Sequence, residues 1–298
     1  MSLYQHLERD VERVFHRFEP TDSRLGRHVN HDSRNYGYAL PVLPKSAIQT
    51  VHWKRAIPIL DQGQLGSCTG NAGTGFLGTA NAAGSGLTSV VITAAAAKAS
   101  HGHFTAGTWF LDEAFAVKLY GLATAIDPYP GTYPPTDTGS DGPSVGAALK
   151  LLGLAASYSH AFSLAALKTA IQTGPAMWGT EWLESMFDPD PSGTLTVDPS
   201  SGVAGGHELV ISGFDVSAGL WTVDNSWNTS WGLLGSCLVT DSDMAYLLTQ
   251  QGDVTVPSLV LPVPPAPPVP PTPVPTGATA QQLWDAQKVV ALGMGVAV

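Results

Sequence analysis

Two short stretches of the chain hold residues able to do thiol chemistry together. In Asp61-Gln62-Gly63-Gln64-Leu65-Gly66-Ser67-Cys68 a cysteine follows a Gly-rich turn and opens a helix. A helix N-terminus favours the thiolate and lowers a cysteine's pKa. The Gln62 amide, six residues upstream, is spaced to donate a hydrogen bond to an oxyanion forming beside the Cys68 N–H. Further along, Gly205-Gly206-His207 starts a strand-like run, and Asp224-Asn225-Ser226-Trp227 follows. Thiol catalysis needs a base, and histidine titrates near neutral pH. An amide oxygen on its far ring nitrogen fixes the tautomer, and Trp227 is suited to cover that bond. Taken singly, each residue has a plainer explanation: a buried thiol beside a turn, a hydrogen-bonded strand histidine, a turn asparagine.

Together, Gln62…Cys68…His207…Asn225-Ser226-Trp227 resembles the papain family of cysteine peptidases, in the family's chain order. DQGQLGSCTGNA is similar to the form found in prokaryotic members, and GGHELVISGFDVSAGLWTVDNSWNTSWGLLGS resembles the block carrying the family's histidine and asparagine. A weaker similarity runs through DTGSDGPSVGAALKLLGLA, and the whole covers roughly residues 49–245. The resemblance implies Cys68 as nucleophile, His207 as base, Asn225 as its orienter and Gln62 as oxyanion-hole donor. It implies a cleft bordered by Gly66, Ser67, Gly205, Gly206 and Trp227. It also implies an α+β fold with a helical left lobe, an antiparallel β right lobe and the cleft between them. Leu65 and Thr69 replace a frequent disulfide cysteine and a tryptophan, as in other prokaryotic members. Asn228 replaces the glycine of NSWG, which bears on the turn beside Trp227.

The elements that must position these residues are partly legible. Leu7, Val11, Val14 and Phe15 fall at helical spacing, so residues 4–17 read as an amphipathic helix, followed by an extended arm to 48. Residues 49–62 read as a short strand and turn. Glycine makes a helix after Cys68 doubtful by propensity, although small residues would let a buried helix pack closely. Residues 87–99 and 104–120 are Ala- and apolar-rich and should include helix, the second ending near Gly121, with further helices at 144–152 and 163–173. AMWGTEW, HELVISGFDV, LWTVDNSW and GSCLVT read as strands. The domain is expected over 49–253. A proline-rich linker at 254–276, with ten prolines between Pro257 and Pro275, and a helical tail at 277–298 should follow.

Charge is unevenly placed. The 298 residues carry a net charge of -10, but residues 1–55 hold nine of the fourteen Lys and Arg against six acids, a net of +3. That asymmetry reads as an arm lying on the acidic body or contacting a partner, against a solvated arm without a role. A further reading has the arm crossing the cleft as a short pro-segment. Acidity without a basic cluster argues against nucleic acid, no apolar run reaches membrane-span length, and no signal peptide is evident. The location is then cytoplasmic or virion-associated. Cys237, in apolar SCLV, reads as a core thiol. His101-Gly-His103 reads as a surface loop, and no metal or cofactor is expected. The expected activity is peptide-bond hydrolysis, with basic or neutral peptides favoured by the acidic body. The rival is a structural or assembly component, possibly of a bacteriophage virion, that uses the domain for binding or for cleaving cell-wall peptides. Its attachment devices, to copies of itself or a larger assembly, would be the arm and the C-terminal helix.

Overall fold

The segment expected as a helix at 4–17 is a β-hairpin. In the computed structural model, which describes residues 2–8 and 11–260, β1 (Ser2–Glu8) pairs antiparallel with β2 (Val11–Arg17), Glu8 opposite Val11. The hairpin is extended by β3 (Val29–Asp32), with Phe15 opposite Asn30. Valine and aromatic residues suit a pleated strand, and a third strand from downstream outweighs a spacing that also fits a helix. The expected tail at 277–298 and most of the expected linker lie outside the described residues.

After β3 the chain runs along the body to β4 (Val51–His52), then through the Gly-rich turn into α1 (Cys68–Leu77). Every residue of α1 is buried. Packing wins over propensity here. The chain continues through β5 (Ser89–Ile92), α2 (Ala94–Ala99), β6 (Gly107–Phe110), α3 (Glu113–Ile126) and α4 (Gly142–Leu151). A Cβ on Gly70 would lie 2.3 Å from the Ala116 carbonyl oxygen in α3, and one on Gly73 would lie 2.5 Å from Val145 in α4. Only hydrogen at these positions lets three backbones come so close.

Two stretches expected as helix are thus divided, the β-branched Val90, Val91 and Ile92 pairing with 107–110 as a small hairpin. Gly121 does not end α3. It is buried, and a Cβ there would lie 2.6 Å from His103, so this glycine serves close packing while the helix runs on to Ile126 before Pro128. Phe115, Leu119, Leu122, Val145 and Leu149 form the core of this helical lobe.

The second lobe is built on β7 (Ala155–His160), α5 (Leu164–Ala170), β8 (Ala176–Leu183), β9 (Val203–Asp215), β10 (Leu220–Asp224), β11 (Ser236–Thr240), α6 (Asp241–Thr249) and β12 (Asp253–Leu259). Its antiparallel sheet has the order β11-β10-β9-β8-β12-β7, with β4 also on β9. β12 corrects the expected boundary at 253. Residues 253–259 pair with β7 and β8, and Pro257 sits within that strand, so the body reaches further than the proline content suggested. Trp178, Trp182, Trp221, Ile211 and Val239 fill the core of this lobe, with Cys237 buried among them. Helices in one lobe and an antiparallel sheet in the other make the fold α+β.

Candidate functional site

The first catalytic candidate is held from β9. His207 is fully buried, and its Nε2 lies 2.7 Å from Asn225 Oδ1, just beyond the end of β10. That oxygen also accepts from the Ser226 N–H at 2.8 Å, which fixes the amide's orientation. An oxygen acceptor requires the imidazole proton on Nε2, so Nδ1 carries the free lone pair. Nδ1 has no hydrogen-bond partner. Trp182 meets the ring edge-on at 5.0 Å between centroids, and Trp227 covers it at 4.8 Å. The expected turn beside Trp227 survives without glycine, because Asn228 takes φ of 56°, a region asparagine tolerates.

Cys68 begins α1, whose first N–H groups have no partners within the helix. The backbone N–H groups of Glu208, Gly26 and Thr69 act to lower the pKa of its thiol. Glu208 is the residue after His207, so thiol and imidazole stand against neighbouring positions of β9. Gln62 is fixed at both ends of its amide: Oε1 accepts from the Ser226 hydroxyl at 2.7 Å, and Nε2 donates to the Leu65 carbonyl at 2.7 Å. Gly66 donates to Asp137 Oδ2 at 2.7 Å, and Tyr120 in α3 also bonds that carboxylate, which ties the turn to the helical lobe.

The arm fills the space between these groups. Gln62 Nε2 also donates to the Arg24 carbonyl at 2.9 Å. Arg27 N–H donates to the Gly206 carbonyl at 3.0 Å, His28 N–H to that of Ser140 at 2.7 Å, and Ser140 N–H to that of Gly26 at 2.9 Å. Residues 26–28 therefore bridge the two lobes through main-chain bonds. The Arg24 guanidinium, paired with Asp22, lies 4.1 Å from the centre of the Trp227 ring. Leu25 is wholly buried against Gly205. Residues 24–28 thus lie on the body between the expected site residues, as the reading of the arm as crossing the cleft supposed.

The Arg24 carbonyl oxygen accepts both the Gln62 amide at 2.9 Å and the Gly26 N–H at 3.1 Å. Closure also sets the charges. Burial pushes the Cys68 thiol up to about 12, with the Glu208 carboxyl adding to it, although three backbone N–H groups pull the other way. The helix N-terminus alone implies a lowered value, and burial reverses that. Burial likewise drives His207 down to about 4, the hydrogen bond it donates to Asn225 and the charge of Asp22 opposing and Arg24 assisting. Thiol and imidazole are both neutral in the closed cleft.

Of the nine residues expected at the site, His207 touches Asn225 and Trp227, and Gln62 reaches the same segment through Ser226. Gly66, Gly205 and Gly206 line the arm's path, since a Cβ on Gly206 would stand 2.2 Å from the Arg27 carbonyl oxygen. Ser67 turns away, its hydroxyl accepting from Asn71 at 3.0 Å inside the helical lobe. Sequence reasoning did not single out Arg24, Leu25, Gly26 and Arg27 within the arm, although the arm's charge pointed there. It also missed Asp137 and Glu208. A carboxyl directly after the histidine, in a run otherwise apolar, was the available signal for Glu208.

The family described as papain family cysteine protease matches residues 47–246. No curated protein matches the chain. Among solved structures, xylellain, a cysteine protease from Xylella fastidiosa, is 18% identical, covering 80% of this chain and 98% of its own, with a TM-score of 0.49. A digestive procathepsin L2 proteinase from Tenebrio molitor larval midgut is 14% identical, covering 76% of each chain, with a TM-score of 0.45. A digestive procathepsin L 3 from the same source is 18% identical over 80% of this chain and 78% of its own, with a TM-score of 0.43. Matched over about two thirds of its length, the chain belongs to the papain family of cysteine proteases.

Proposed function

We propose that this cysteine peptidase cuts peptide bonds with Cys68 as nucleophile, His207 as general base and acid, Asn225 as the group that orients the imidazole, and Gln62 as oxyanion donor. The observation that carries the reading is the 2.7 Å contact of His207 Nε2 with Asn225 Oδ1, which leaves Nδ1 unprotonated on the ring. His207 takes the Cys68 proton and the thiolate adds to the substrate carbonyl. The oxyanion is held by the Gln62 amide and the Cys68 N–H. The imidazolium then protonates the leaving amine. Water, activated by the same imidazole, releases the acid and restores the thiol. This cycle requires residues 20–28 to leave the cleft, so the chain as folded is the resting form. A role in a large, phage-type assembly is the second reading, favoured by that closure: a cleft filled by its own chain needs no turnover to be useful.

The test is hydrolysis of an unselective fluorogenic peptide mixture by full-length Gly26→Val, alone and combined with Cys68→Ala. A Cβ on Gly26 would lie 1.8 Å from the Gly66 carbonyl oxygen, so the valine cannot enter the cleft. Turnover by the single variant and none by the double variant supports the peptidase roles. Equal rates from both would refute them.

A further inference from the structure

Arg27 is wholly buried, an unusual state for a guanidinium, and its neighbour Gly26 packs on the turn before Cys68, its Cα 3.2 Å from where a Cβ of Gly66 would sit. Its recess is built by register. On β8, Gly179 stands opposite Glu208 of β9 on one side and opposite Asp253 of β12 on the other. Directly paired residues project from the same face of a sheet, so two carboxylates flank a position with no side chain. The point where a Cβ of Gly179 would sit is 2.6 Å from Arg27 Nε, 2.6 Å from Glu208 Oε2 and 3.1 Å from Asp253 Oδ1. Gly142 closes the recess in the same way, its Cβ position 2.5 Å from Glu208 Oε1. Arg27 Nη2 donates to Asp253 Oδ2 and, at 2.7 Å, to the Gln251 carbonyl.

Neither oxygen of Glu208 has a hydrogen-bond partner, nor has Asp253 Oδ1. Burial, with the charge of Asp253 adding to it, pushes the Glu208 carboxyl well up, and Arg27 opposes that. A buried carboxyl with unpartnered oxygens is favoured in its charged form by a cation beside it. When the arm leaves, the recess loses the Arg27 cation and has capacity for another. Only Nη2 of Arg27 is bonded there, Nε and Nη1 having no hydrogen-bond partner, so a guanidinium not tied to the arm has donors in reserve for Glu208, which a compact ammonium lacks in fork geometry.

We propose that the Arg27 recess is the selectivity pocket of this peptidase, and that the open enzyme takes an arginine side chain of its substrate there, close to the bond it cuts. Glu208 and Asp253 are the specificity-determining residues, and Arg27 holds their pocket in the resting chain. The assignment rests on the peptidase roles proposed above for Cys68 and His207, and its test separates the two.

The experiment uses full-length Gly26→Val and, should that variant fold poorly, full-length Arg27→Ala, which empties the recess directly. Fluorescence anisotropy measures binding of a labelled peptide of residues 20–30, with arginine, lysine, citrulline or norleucine at the position of Arg27. Fluorogenic libraries with one upstream position fixed at a time measure kcat/KM. Arginine is expected to exceed lysine, and to exceed citrulline and norleucine at least tenfold in both readouts. Glu208→Gln and Asp253→Asn are each expected to collapse that ratio toward one. Equal binding of the four peptides, or turnover without a preference for arginine, would overturn the pocket. Arginine-selective binding with neither turnover nor covalent labelling of Cys68 would leave the pocket standing and overturn the peptidase roles instead.

Discussion

The carbonyl oxygen of Arg24 accepts the Gln62 side-chain amide at 2.9 Å. The group proposed above as oxyanion donor is thus engaged by the protein's own arm, and Ser226 holds the far end of its amide. On the proposed roles, release of the arm and oxyanion binding draw on the same side chain.

Replacing Gln62 with alanine has two expected effects of opposite sense. Turnover in the Gly26→Val background should fall in kcat by about 10²–10³-fold with KM little changed, the cost of losing one oxyanion donor. In the otherwise native chain the same change should loosen the arm and hasten alkylation of Cys68. Steady-state kinetics and intact-mass time courses read the two separately.

Asn225→Ala should lower kcat and leave the fold standing. It removes the acceptor that holds the His207 proton on Nε2, and a wrong tautomer costs orders of magnitude in such arrangements. Kinetics of Gly26→Val with and without the substitution check this. A change confined to KM would argue against an orienting role.

The pH dependence of stability should carry the signature of His207. Its value is depressed to about 4 from an ordinary 6.5, so the unfolded chain binds the proton first as pH falls. The stabilising contribution is present above pH 6.5 and is lost as pH drops toward 4, about 2–3 kcal/mol between pH 7 and pH 4.5. Asp141, raised to about 6 chiefly by burial, works with the opposite sign. Urea midpoints of the native chain and His207→Gln across that range isolate the histidine: the difference between them should shrink with falling pH.

In the helical lobe, Gly70→Ala should destabilise the fold by about 1–3 kcal/mol, the usual cost of forcing an extra carbon into a packed interior. The new Cβ meets backbone in α3, which cannot move without dragging the helix. Thermal denaturation measures it, and a neutral result would mean that α1 and α3 are less closely packed than described.

What the sequence disclosed divides along physical lines. Cys68, His207, Asn225 and Gln62 stood out through the resemblance of their motifs to the papain family. The strands around His207 were legible as β-rich runs between glycine and asparagine breaks. The 4–17 hairpin was not, since Leu7, Val11, Val14 and Phe15 fall at helical spacing and pairing with the downstream β3 overrides it. Nor was β12, because prolines suggested a linker, while Pro257 is accommodated in a strand. The Arg27 recess lay beyond reach. Glu208, Gly179 and Asp253 are far apart in sequence, and only strand register brings them side by side.

The central claim is a competent thiol closed off by the chain's own arm. Its most direct test is the rate at which an epoxide inhibitor of papain-like peptidases adds mass to full-length protein, to Gly26→Val and to Gly26→Val with Cys68→Ala. The account predicts slow labelling of the native chain, at least tenfold faster labelling of Gly26→Val mapping to Cys68, and none without that cysteine. Equal rates for the native chain and Gly26→Val, or an adduct that persists after Cys68→Ala, would contradict it.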